Sequence, residues 1–187
     1  MKLIRKPFVF MRHGETALNR EQRICGFTDV PLNTRGENQA LDAQPLLLGD
    51  WSCVATSALQ RAQRTASLAV PRHEALILPG LNERHWGVLE GAPLSQLLPY
   101  ASTPAGGESW DEFSRRVLSA LNGLLEEYPL PLVVAHSGVY RVIRDAITGT
   151  PDGPRIENAR PVRLNPADNA AGWTLEPFEN NAVENGE

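Results

Sequence analysis

Lysine is almost missing from this chain: it occurs only at Lys2 and Lys6, and every other side-chain cation of the lysine and arginine kind is arginine. Either the source has a compositional bias, or some arginines grip anions bidentately, which an ammonium does less well. An excess of positive charge is missing too. The formal net charge is -4, so no basic face recommends a nucleic acid or a membrane surface as partner. Cysteine is scarce. Cys25 and Cys53 make neither a disulfide framework nor a metal-ligand cluster, and Cys53, set in an apolar run, reads as core. No apolar run approaches the roughly 18 residues that a membrane helix requires. The opening Met1-Lys2-Leu3-Ile4-Arg5-Lys6-Pro7 has too short an apolar stretch for a signal peptide. These absences lead to the expectation of a soluble, cytoplasmic protein with no cofactor. The sequence allows a homodimer without indicating one.

What is present suits one domain. The chain has 187 residues, 42% of them hydrophobic and 21% charged, enough for one complete core and short for two, so a single domain over 1–187 is expected. Short apolar runs alternate with helical patterns. Phe8 to Met11, Ser52 to Ala55, Ala75 to Leu78 and Leu130 to Ala135 read as buried strands. Thr34-Arg35-Gly36-Glu37 and Ser57-Ala58-Leu59-Gln60 have capping-box spacing, and Pro45 should shorten the first of those helices. Ser109-Trp110-Asp111-Glu112 is the clearest capping box. After it, Phe113, Val117, Leu121, Leu124, Leu125 and Tyr128 form one apolar stripe. A further helix should run from Ser137 to about Ile147. This alternation predicts an α/β fold, with helices on both sides of a mostly parallel sheet. Glu83 to Gly107, rich in Gly, Pro and Ser, reads as a long surface excursion with one short helix. The acidic, Asn-rich end from Glu176 onward, residues 177–187 above all, is expected to fray.

In open α/β sheets, ligands bind where strands end and loops turn into helices. The residues that follow the four strands therefore matter most. The first strand is followed by Arg12-His13-Gly14-Glu15-Thr16 and Asn19, and the second by Thr56-Ser57 with Arg61. The third is followed by Asn82-Glu83-Arg84, and the fourth by His136-Ser137-Gly138. Two histidines, two arginines and a carboxylate would then meet in one crevice. A neutral imidazole is a competent nucleophile. Guanidinium groups hold phosphoryl oxygens in a fork and stay charged. A carboxyl group can protonate a leaving alkoxide and then activate water. Phosphoryl transfer needs mainly positioning and charge stabilisation, and this set supplies both without a metal ion. Gly14 would let the backbone approach the phosphate, with Thr16 and Asn19 offering neutral hydrogen bonds. His73 and His85 are assigned to the surface or to supporting positions, Glu15 and Glu108 to hydrogen bonding or capping, and Arg115-Arg116 to a solvated helix face.

The same residues resemble the histidine phosphatase superfamily, also called the phosphoglycerate mutase-like family. The likeness is carried by Arg12-His13-Gly14-Glu15-Thr16, by Asp29 to Gly36, and by Ser57 to Ala66. It continues in Leu81 to Gly87 with Glu90-Gly91, in Gly106 to Ser109, and in Val134 to Gly138. The resemblance implies a three-layer α/β/α sandwich in which His13 is phosphorylated. Arg12, Arg61 and His136 would line the phosphate pocket, and Glu83 would donate and accept protons. Thr16, Asn19, Ser137 and the backbone near Cys25 and Gly26 would lie beside the substrate. Ser137 stands where a glycine is common in the family's phosphatases, and Cys25 where the mutase branch has threonine.

The mutase branch carries a longer segment over the site, with a lysine and paired arginines for a second anionic group. Here Val88 to Gly107 contains neither lysine nor arginine, and a bisphosphate intermediate under such a cover would be poorly kept from water. Hydrolysis of a small phosphomonoester is therefore the favoured reading. A phosphoglycerate mutase of reduced form is the alternative, and an idle phospholigand-binding module is the third. Pro, Leu, Ser and one Tyr in Val88 to Gly107 predict a moderately apolar rim on the leaving-group side.

Overall fold

A computed structural model of the chain describes residues 1–178. Its centre is a six-stranded sheet. β1 is Phe8–Arg12, β2 Val54–Thr56, β3 Ala75–Ile77, β4 Leu132–Ala135, β5 Pro161–Pro166 and β6 Trp173–Pro177. The order is β3-β2-β4-β1-β5-β6. The first four run parallel, while β5 is antiparallel to both β1 and β6. The mostly parallel sheet is as expected, but the antiparallel pair was not anticipated. β5 carries Arg163 and Asn165 between its apolar residues and a proline at each end, so it lacks the apolar run of a central strand.

Alternate side chains of the strands point to opposite faces, and the core divides accordingly. Phe8 and Phe10 of β1, with Val133 and Ala135 of β4, pack on α4 (Trp110–Glu127) and α5 (Ser137–Thr148). Val9, Met11, Leu132 and Val134 face Ala66 and Ala69 of α3 (Gln60–Ala69), and Ala43, which closes α2 (Thr34–Asp42). Helices thus cover both faces of the sheet. The stripe on α4 buries Phe113, Val117, Leu118, Leu121, Leu124 and Leu125, each contributing on the order of 1.5–3 kcal/mol relative to exposure. Ser109 and Glu112 close the capping box that starts this helix.

Other local expectations are revised. The N-cap of α2 is Asn33, whose side chain accepts from the Gly36 N–H, rather than Thr34. That helix stops at Asp42, and Pro45 sits in a 3₁₀ turn. α3 begins at Gln60 with Leu59 at its N-cap and no side-chain cap, while the Ser57 hydroxyl bonds His136 and accepts the Leu59 N–H. β3 is an edge strand, with Leu76 and Ile77 exposed, not a buried one. Cys53 is half-buried against the core. Glu176 and Pro177 pair with Arg163 and Val162 in β6, so the tail starts later than expected, and 179–187 lie outside the described residues. No helix among the described residues is long and apolar enough to cross a membrane.

Candidate active site

Register brings the chemistry together. Arg12 of β1 pairs with Ala135 of β4, so the next residues, His13 and His136, emerge side by side, with ring centroids 5.1 Å apart. β4 also lies beside β2, which brings Ser57 within 2.7 Å of His136 Nε2. Beyond β3, a 3₁₀ turn over Pro79–Leu81 leads to Glu83, whose Oε2 accepts the Gly138 N–H of α5 at 2.9 Å.

His13 is buried, and its ring is oriented by two bonds. Nδ1 lies 2.6 Å from the Gly14 carbonyl. A carbonyl only accepts, so the ring proton sits on Nδ1 and the lone pair on Nε2. Arg61 Nε donates toward that lone pair at 3.3 Å. Burial, then the charges of Arg61 and Arg12, hold the His13 pKa far below its ordinary range. His136 is depressed in the same way, first by burial and then by Arg61. Both rings are neutral at pH 7.

The guanidinium groups differ. Arg61, fully buried, gives Nη1 to the Thr28 carbonyl and Nη2 to the Gly26 carbonyl, at 2.8 and 2.7 Å. Among the described residues, the Arg12 side chain bonds only the Ile156 carbonyl, at 3.2 Å. Burial and the nearby Arg155 lower its pKa to about 10, so it stays charged. Arg12 Nε and His136 Nδ1 are buried and have no partner among the described residues. Each unsatisfied polar group costs on the order of 1–3 kcal/mol, and an anion with several acceptor oxygens offers both a partner.

The carboxylate is held as firmly. Glu83 Oε1 accepts the Arg84 N–H at 2.9 Å, and Oε2 the Gly138 N–H. A Cβ on Gly138 would fall 2.1 Å from Oε1, so only glycine leaves room for the carboxylate there. Arg84, buried and lying over the Trp86 ring, donates to the carbonyls of Glu108, Tyr100 and Ser102. Arg116, expected on a solvated face, instead pairs with Glu108 and donates to the carbonyls of Gly80, Asn82 and Glu83. Glu90 accepts the N–H groups of Phe27 and Trp86 and the Thr28 hydroxyl, tying the Gly26 loop to the acid loop. Arginine in this chain thus serves largely as a clamp on backbone carbonyls, a use that composition did not suggest.

One pocket is lined by Arg12, His13, Asn19, Cys25, Gly26, Arg61, Glu83 and Ser137. Leu94, Leu97 and Tyr100 form the apolar rim expected of the Val88 to Gly107 excursion, which holds two 3₁₀ turns. Gly14 and Thr16 stand behind the lining. A Cβ on Gly14 would fall 2.3 Å from the Gly36 carbonyl oxygen, so its missing side chain serves the approach of α2. Thr16 and Asn19 close a capping box on α1 (Ala17–Arg20). Glu15 accepts from Asn33 and Arg20, in the bonding role expected of it. Sequence reading missed Ser57 and Asn158 as supports, the latter donating to the His13 carbonyl at 2.7 Å. It also missed Arg23 and Arg155 at the pocket wall. Both come from segments without a strand-end position to mark them.

The family model described as histidine phosphatase superfamily (branch 1) matches residues 8–174. The chain belongs to that superfamily. It is 33% identical over 161 residues to the uncharacterized phosphatase PhoE of Bacillus subtilis, covering 80% of each chain. It is also 33% identical, over 191 aligned positions and 89% of each chain, to the probable phosphoglycerate mutase GpmB of Cronobacter sakazakii. Among solved structures, the α-ribazole phosphatase of Shigella flexneri superposes with a TM-score of 0.75 at 26% identity. That match covers 97% of this chain and all of the other. Relatives of this histidine phosphatase family member are thus named both as phosphatases and as mutases.

Proposed function

We propose that the protein is a cytoplasmic, metal-independent phosphomonoesterase that forms a phosphohistidine on His13. The observation that carries this reading is the Nδ1 bond to the Gly14 carbonyl, which puts the lone pair on Nε2, the atom that attacks phosphorus once Arg61 gives it up. Arg12, Arg61 and His136 Nδ1 take the phosphoryl oxygens, with Arg61 turning from Nε2 to the substrate. His13 Nε2 attacks as the P–O bond to the leaving group breaks, and Glu83 gives the leaving alkoxide its proton. Water then attacks phosphorus while the Glu83 carboxylate accepts its proton, and inorganic phosphate leaves. His13 returns to its neutral form.

Hydrolysis is favoured over mutase chemistry because the Val88 to Gly107 wall contributes leucines and a tyrosine in place of cations. The same pocket is also lined by Arg23 and Arg155, and the test addresses both reactions. Wild-type protein should release phosphate from an aryl phosphate after dialysis against a chelator. Acid-labile, base-stable phosphate should be trapped on His13, and His13→Ala should lose turnover by several orders of magnitude. Label on another residue, or isomerisation of phosphoglycerate without aryl phosphate hydrolysis, would overturn the reading.

A further inference from the structure

The proposed chemistry gives no task to the Ser57 hydroxyl, which is fully buried and lies 2.7 Å from His136 Nε2. Its place is fixed from several sides. β2 ends at Thr56, and the Ala58 N–H donates to Asn82 Oδ1 at 2.8 Å, tying this turn to the loop that carries Glu83. The Gln60 N–H donates to Asp29 Oδ1 at 2.8 Å, which ties the start of α3 to the loop before α2. His136 follows β4, whose Val134 is in register with Thr56. The contact between the two side chains is therefore set by the sheet and by two loops, and neither partner has reason to swing away.

A serine hydroxyl has one hydrogen to give and two lone pairs. One lone pair accepts the Leu59 N–H at 3.3 Å. For the hydrogen, His136 Nε2 is the acceptor within reach among the described residues, and the side chain has no exposed surface from which to turn to solvent. A neutral imidazole carries one proton, on one nitrogen or the other. With that proton on Nε2, the serine hydrogen and the Nδ1 lone pair would both be buried and unmet. With it on Nδ1, the serine bond is made and a single group is left over, the Nδ1–H, which has no partner among the described residues. Buried polar groups left unmet are costly, so the second arrangement wins. The leftover group is then a donor, on a ring that lies beside His13 and close enough to Arg61 and Arg12 to feel their charges. An anion held by those arginines supplies the acceptor it lacks, whereas a bare lone pair at Nδ1 would repel that anion.

Resting on the phosphomonoesterase reading, we infer that Ser57 is a positioning residue: its hydroxyl donates to His136 Nε2, holds the ring proton on Nδ1, and so makes His136 a hydrogen-bond donor to the phosphoryl group. Nitrogen NMR of protein labelled in its histidine rings reads the two nitrogens directly, with the His136 signals identified by their loss in His136→Gln. In the wild type at neutral pH, Nδ1 should carry the proton and Nε2 should be bare. Ser57→Ala removes the donor to Nε2, so the ring proton should move to that nitrogen. The affinity for inorganic phosphate should fall with it, by about 10–100-fold, the worth of a charge-assisted hydrogen bond. Packing damage alone would weaken phosphate binding without moving the ring proton. A wild-type ring protonated at Nε2 would overturn the assignment whether or not the variant folds. So would a Ser57→Ala protein that keeps either the wild-type ring pattern or the wild-type phosphate affinity. Absence of aryl phosphate hydrolysis would remove the enzymatic reading, while the ring pattern would still decide on the Ser57 bond.

Discussion

The two ends of the pocket are built by different means. At the phosphate end, His13, Ser57 and His136 follow directly from the ends of three hydrogen-bonded strands, and their spacing is set by sheet register. Elsewhere in the lining, Leu94, Leu97, Tyr100 and Arg155 come from segments outside the strands, where Arg84 clamps the Tyr100 and Ser102 carbonyls and Arg141 those of Pro151 and Gly153. Register cannot shift without turning every side chain of a strand to the wrong face. Loops change at far lower cost. In the proposed reading the phosphoryl chemistry belongs to the sheet, and the net outcome and choice of substrate to the loops, in keeping with relatives that are named both as phosphatases and as mutases.

The sharpest way to break that division is at Glu83, where a loop residue is asked to do chemistry. Glu83→Gln keeps the shape but has no proton to give. Alkyl phosphates should lose about 10²–10⁴-fold in rate, and an activated aryl phosphate much less in the step that phosphorylates His13. Phospho-His13 should accumulate, because the same group serves the second step. Equal losses on both substrates without accumulation would reduce Glu83 to a structural partner of the Arg84 and Gly138 N–H groups.

A smaller effect is expected at Gly138. In Gly138→Ala the new methyl would overlap Glu83 Oε1, so the carboxylate or the start of α5 must move. The overlap costs about 1–3 kcal/mol of stability. The rate loss should be larger for alkyl than for aryl phosphates, since displacement of the acid matters only where the leaving group needs a proton. A thermal melt together with the two substrate classes separates this positioning role from simple destabilisation.

The same division explains what could be read in advance. Phe8 to Met11 and Leu130 to Ala135 are apolar runs, and a parallel sheet buried on both faces requires such runs, so the polar residues ending them stood out. Pro161–Pro166 has Arg163 and Asn165 in its interior, and no periodicity marked it as a strand. Ser57 had the spacing of a helix cap, but its hydroxyl found a buried imidazole instead, a partner 79 positions away that local pattern cannot reveal. Arg116 and Arg155 look alike in the sequence. One is bound up with Glu108 and three carbonyls and the other has no such contact among the described residues, and only the fold separates them.

The weakest effect expected at the phosphate end concerns stability. His13 and His136 are buried neutral, with folded pKa values below the unfolded one. Above the unfolded value, near 6.5, neither state binds the proton and these groups add no pH dependence. As the pH falls below it, the unfolded chain gains protons that the folded pocket refuses, so stability falls with pH. Between pH 6.5 and 5.5 the two groups together should remove about 2 kcal/mol, since each contributes up to about 1.4 kcal/mol per pH unit. In a chain of this length that is a drop of roughly 4–8 °C in melting temperature. His13→Asn, whose amide can still donate to the Gly14 carbonyl but does not titrate, should show about half the slope. Inorganic phosphate should flatten the wild-type curve further, because a bound anion favours protonated imidazoles. A melting temperature that stays level from pH 7 to 5.5, or an Asn variant that keeps the full slope, would mean that protons are taken up elsewhere. The neutral His13 nucleophile would then have to be established by direct titration of its ring.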